Sequence, residues 1–160
     1  MMTITLNGVD VCRSVIKVII LLYMIALAVY DIRHKRVPNA ALLILLPIAA
    51  AGCTIDIWLA DNRWSEVGSM MLGAIAGGGI LLGAAMATGG GIGGGDIKLM
   101  AVIGIAAGLS DTLLILLLAC VLALIYGAIK RAVTGDKNLR LAFVPFLTVG
   151  YMVSVIPTFI

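Results

Sequence analysis

The chain has 160 residues, of which 62% are hydrophobic and only 12% charged, and its mean hydropathy is +1.19. Soluble domains are about half apolar and a quarter charged, so this composition excludes a soluble globular protein and predicts an all-α, polytopic membrane chain surrounded by lipid. The formal net charge of +3 falls on residues that flank apolar runs, which marks topology and no nucleic-acid partner.

The first apolar run, residues 15–30, is too long for the core of a signal peptide. It ends in Asp31-Ile32-Arg33-His34-Lys35-Arg36 without a small-residue cleavage site, so it is expected to persist as the first span. Pro38-Asn39 opens the second run, 40–59, with Asn39 placed to cap the helix N-terminus and Pro47 placed to kink it. Trp58 and Trp64 read as interfacial residues at its far end. The third run, 67–88, carries Gly73, Gly77, Gly79 and Gly83, two small-xxx-small pairs predicted to let helices approach closely. Runs at 97–109, 112–129 and 142–159 follow, the first two separated by Gly108, Ser110 and Asp111.

Between the third and fourth runs lies Gly89-Gly90-Gly91-Ile92-Gly93-Gly94-Gly95-Asp96-Ile97-Lys98, with six glycines in seven residues. Such a segment cannot be an ordinary spanning helix. Irregular backbone at membrane depth survives only where it is buried in protein or lines a wet cavity, and an ionisable residue there is a functional candidate by default.

At about 20 residues per span, the chain accommodates six helices in one membrane domain, 1–160. Lys and Arg favour cytoplasmic loops. With six spans one face holds eight of them, Arg33, Lys35, Arg36, Lys98, Lys130, Arg131, Lys137 and Arg140, and the other holds three, Arg13, Lys17 and Arg63. Fusing residues 97–129 into one span changes the split to four against seven. Six spans with both termini on the non-cytoplasmic side is therefore the expectation. It places Asp31 and Asp96 at the same cytoplasmic boundary and Asp56, Asp61, Glu66 and Asp111 at the opposite one. Asp136 falls in a hydrophilic cytoplasmic loop.

Cys12, Cys53 and Cys120 stand far apart, no C-x-x-C pair occurs, and His34 is the single histidine. A structural metal site needs several such ligands at close spacing, so no metal or other cofactor is expected, and the cysteines are read as packing residues. Two carboxyls brought close cannot both ionise easily, so one retains a proton. The ionised member can then take a proton from water while the neutral one polarises a peptide carbonyl. The same pair can equally hold a cation or relay protons. Gly93, Gly94 and Gly95 beside Asp96 leave room for an extended substrate backbone. Lys98 can bind substrate, tune Asp96 or anchor its helix in the headgroups.

Asp31-x-Arg33-x-x-x-Val37-Pro38-Asn39 after the first span, Gly93-x-Gly95-Asp96-x-Lys98 before the fourth, and Leu141-Ala142-Phe143-Val144-Pro145-Phe146 opening the last together resemble the type IV prepilin peptidase family, the G-x-G-D aspartic proteases of the bacterial inner membrane. The resemblance runs from about Tyr30 to Gly150. It implies that Asp31 and Asp96 are a catalytic pair, with Arg33, Pro38 and Asn39 as supporting motif positions. It implies a prepilin or pseudopilin substrate, cut after its basic leader at the cytoplasmic face. Larger members carry a cysteine-rich cytoplasmic domain and often N-methylate the new terminus. Only residues 32–38 separate Asp31 from Asn39 here, so the chain resembles the short branch associated with tight-adherence (Flp-type) pili, and methyl transfer is not expected. A small transporter, or a non-enzymatic subunit of a pilus or secretion assembly, are the alternative readings.

Overall fold

In a computed structural model, residues 8–60, 62–87, 92–134 and 141–158 are described. They form α1 (Gly8–His34), α2 (Asn39–Leu59), α3 (Arg63–Ala87), α4 (Gly94–Thr134) and α5 (Val144–Val155), followed by one 3-10 turn, Ile156–Thr158. No strand occurs among these residues. Helices α1 to α4 are each long and apolar enough to cross a bilayer, and α5 is apolar but shorter. Leu43, Met71, Leu117 and Leu124 project outward, fully in keeping with a lipid-facing surface. The core is built from Met24, Leu45, Leu99, Met100, Ile103, Ile115, Val144 and Leu147.

Helix α4 has 41 residues and would run about 60 Å if straight, at 1.5 Å per residue. It does not run straight. Gly108 has φ 74° and ψ 177°, a conformation open to glycine and strained for other residues. The chain doubles back there. A Cβ built on Gly77 of α3 would lie 2.9 Å from the Met100 carbonyl and 3.1 Å from Thr112 Cγ2, atoms that a straight helix would separate by about 18 Å. Ser69 supports the reversal: its hydroxyl accepts the Leu109 N–H at 3.1 Å. The break expected around Gly108, Ser110 and Asp111 thus resolves to Gly108.

The two halves of α4 pack on α3 through its glycines. Cβ atoms at Gly73 and Gly77 would clash with the backbone of Gly104, Gly108 and Met100. Gly79 and Gly83 behave differently, since nothing lies within 4 Å of a Cβ at either. That second small-xxx-small pair makes no close approach, which corrects the sequence expectation; Gly78, against Ala101 at 3.2 Å, lies on the packed face instead. Helix α5 meets the second half of α4 at Gly150, whose Cβ would lie 2.8 Å from the Ile115 carbonyl.

Polar cross-links fix the remaining helices. The Tyr23 hydroxyl donates to the Ala41 carbonyl at 2.9 Å, and Thr148 Oγ1 donates to Met24 O at 3.3 Å. Cys53 Sγ donates to Ile105 O at 3.3 Å, while Cys12 and Cys120 are free thiols, exposed and half-buried respectively. Helix α2 remains helical through Pro47, and its N-cap is Pro38, with no side-chain capping bond. Asn39 is already the first helical residue, so it does not cap α2 as its residue type suggested.

At the end of the bundle remote from Asp31, Arg13 is ion-paired with the buried Asp56. These two residues line a polar cavity with Lys17, Glu66, Asp111, Tyr151 and Ser154. Every one of the five helices contributes to it. Trp58 and Trp64 are exposed near this end, with the Arg63 guanidinium 5.7 Å from the Trp58 ring centroid. Asp61, Gly89, Gly90, Gly91 and Asp136 lie outside the described residues.

Candidate active site

Asp31 lies in the last turns of α1 and is 3% exposed. A buried carboxylate needs donors, and the N-terminus of α5 provides them. The Val144 N–H donates to Asp31 Oδ2 at 3.2 Å, and the Phe143 backbone amide also bonds this carboxyl. The first amides of a helix lack intrahelical partners, so Asp31 caps α5 from another helix. No side chain of α5's own segment performs that task.

Asp96 occupies the first turn of α4. Gly93 precedes the helix, and its carbonyl accepts the N–H groups of Asp96 at 3.0 Å and Ile97 at 3.3 Å. The Gly93 backbone amide in turn bonds the Asp96 side chain, as the third residue of a capping box does. The Asp31 carboxylate acts electrostatically on Asp96, so the two acids share one electrostatic site although 65 positions separate them in sequence.

The segments carrying the two acids touch. A Cβ on Gly95 would lie 2.8 Å from Val37 Cβ and 3.0 Å from the Val37 carbonyl. Only a residue without a side chain lets the 35–38 connection settle on the start of α4. Lys98 Nζ donates to Asn39 Oδ1 at 3.3 Å, a second tie between the same segments. Lys35 turns the chain out of α1 with φ 50°, and its N–H donates to the Asp31 carbonyl at 2.7 Å.

Of the residues singled out by sequence, the structure brings together Asp31, Asp96, Gly93, Gly95, Asn39 and Lys98. Gly94 sits in open space. Arg33 is exposed beyond Asp31, and Pro38 serves as the N-cap position of α2. The residues sequence reasoning did not place at the site are Phe143 and Val144, because they contribute backbone amides and no side-chain chemistry. Pro145, which lies in the first turn of α5, was the available signal, since proline there marks a helix start. No group of three or more His, Cys, Asp or Glu able to hold a metal occurs among the described residues.

A protein-family model described as the type IV leader peptidase family matches residues 18–128, a stretch that includes both aspartates. A Bacillus subtilis (strain 168) protein named prepilin leader peptidase/N-methyltransferase is 34% identical over 142 residues, covering 86% of this chain and 53% of the relative. The chain thus spans about half the length of that relative. No solved structure matches it significantly. By the extent of the family match and by this identity, the chain belongs to the type IV leader peptidase family.

Proposed function

We propose that the chain is a membrane aspartic endopeptidase that removes the basic leader from type IV prepilins or pseudopilins. The observation that carries this reading is the meeting of the Asp31 and Asp96 segments: Gly95 against Val37, Lys98 on Asn39, and one carboxyl under the field of the other. In this reading the ionised carboxylate takes a proton from water as it attacks the scissile carbonyl, and the protonated partner hydrogen-bonds the carbonyl oxygen. Gly93 and Gly94, both exposed, leave backbone-width space for an extended segment of substrate beside Asp96.

The proposed topology has six crossings in a single domain, both termini on the non-cytoplasmic side, and the two aspartates at the cytoplasmic edge of a bacterial inner membrane. The reversal of α4 at Gly108 supports the count, and the distribution of Lys and Arg supports the orientation. The short connection between Asp31 and Asn39 supports a Flp-type substrate and a peptidase without methyl transfer.

Co-expression with a Flp-type prepilin tests the reading, with the pilin N-terminus read by mass spectrometry. Cleavage is expected from the wild type and a loss of at least a thousandfold from Asp31→Asn and from Asp96→Asn, each verified in the membrane fraction. Cleavage that survives either substitution removes that residue from the mechanism. Ion flux into vesicles without cleavage would instead support the transporter reading.

A further inference from the structure

We infer that the two aspartates have fixed and different roles: the N-terminus of α5 holds Asp31 as the carboxylate that activates water, and Asp96 carries the proton given to the scissile carbonyl. This rests on the peptidase reading above and goes beyond it by breaking the symmetry of the pair. The observation behind it is the number and origin of donors. Asp31 is almost completely buried, yet it receives two backbone amides, from Phe143 and Val144, and stands at the positive end of α5. Backbone amides only donate, so they bond a carboxylate without supplying an acceptor for a carboxyl proton. Asp96 is more accessible and, among the described residues, receives the amide of Gly93 from its own loop and none from another helix, which suits a carboxyl that carries a proton toward substrate. Among the described residues, the titratable group facing Asp31 is Asp96, from α4; Arg33, Lys35 and Arg36 on the exit from α1 are exposed, and Lys98 is engaged with Asn39.

The assignment gives a balanced cycle. Asp31 removes a proton from water as the new C–O bond forms, and Asp96 delivers its proton to the carbonyl oxygen, giving a neutral gem-diol. Asp31 then passes its proton to the amide nitrogen as the C–N bond breaks. One gem-diol hydroxyl returns its proton to Asp96. The products are the leader acid and the free pilin amine, with Asp31 again ionised and Asp96 again protonated. Phe143 and Val144 are positioning residues in this scheme, acting through Asp31 alone.

Amide-to-ester replacement tests it, since an α-hydroxy acid removes one N–H while keeping the side chain. The ester is placed at Val144 in one protein and at Gly93 in another, and cleavage of a prepilin is followed against pH. The Val144 ester is expected to move the acidic limb of kcat/KM upward by about one pH unit, because the base loses a donor to its charged form. The Gly93 ester is expected to move the alkaline limb upward instead. Should the Val144 ester fail to fold, as judged by thermal unfolding in detergent, Val144→Pro removes the same N–H at a first-turn position that accepts proline. A Val144 variant that shifts the alkaline limb, or leaves both limbs in place, overturns the assignment while cleavage itself upholds the peptidase reading. A wild-type protein that cleaves no prepilin overturns both.

Discussion

Gly94 and Gly95 are adjacent and look alike in sequence, but they have unlike surroundings. A Cβ at Gly94 meets nothing, while one at Gly95 strikes Val37. Gly94→Ala is therefore expected to keep prepilin cleavage within about threefold of wild type. Gly95→Ala should reduce it at least tenfold, because a misplacement of about 1 Å near reacting groups is costly. Val37→Gly in the Gly95→Ala background removes the closest clashing atom and should restore part of the loss; kcat/KM for the three variants checks this. Lys98→Ala and Asn39→Ala should each have small effects that do not add in the double variant, as expected when two changes break one contact. The aspartates were legible from sequence because charge in an apolar chain is rare. The difference between neighbouring glycines was not, since it depends on which backbone a missing side chain would have met. Asn39 shows the same limit: its residue type suggested a cap, and the nearby Lys98 ammonium gave its oxygen another use.

Helix α3 offers a direct comparison of its own glycines. Gly73→Ala and Gly77→Ala push into α4 backbone and are expected to destabilise the folded protein. Gly79→Ala and Gly83→Ala should be neutral or stabilise by about 0.5–1 kcal/mol, the usual gain for replacing a glycine within a helix. Gly108→Ala forces a left-handed φ on a residue with a side chain and drives a Cβ to 2.9 Å from Ser69 Oγ. A cost of about 1–3 kcal/mol is expected, read as a lowered unfolding midpoint in detergent. The apolar, all-helical character was legible from hydropathy, and the interruption near Gly108 from its turn-forming residues. The face of α3 used for packing was not, because all four glycines satisfy the small-xxx-small pattern and only the placement of α4 distinguishes them. A fused α4 and a folded-back one also have the same apolar run, so length alone did not separate them.

Across the whole bundle, ionisable groups gather at its two ends. One end holds Asp31 and Asp96; the other joins all five helices through Arg13, Lys17, Asp56, Glu66, Asp111, Tyr151 and Ser154. Sequence placed Asp56, Glu66 and Asp111 at a common boundary but gave no sign that Arg13 would pair with Asp56. Asp56→Asn leaves Arg13 without its partner, and because Arg13 is partly exposed the cost is expected to be about 1–3 kcal/mol, between surface and buried pairs. Thermal unfolding in detergent checks the value, and exchanging the two residues, Arg13→Asp with Asp56→Arg, should recover part of it. Cleavage in the exchanged variant should follow stability and not chemistry, since this cluster is remote from Asp31.

The first half of α4, residues 94–108, has only fifteen residues before the chain turns back at Gly108. Fifteen residues rise about 22 Å, against a hydrocarbon layer of about 30 Å. A helix this short cannot present both ends to the headgroups of an undisturbed bilayer. With its turn anchored at the far edge, the start of this half would stop about 8 Å short of the opposite hydrocarbon edge, and Asp96, two residues further in, about 11 Å short, unless the lipid thins to meet it. On the proposed topology the membrane would be dented above the aspartates, water could descend to the carboxyls, and a helical substrate would have to unravel its last turns to follow.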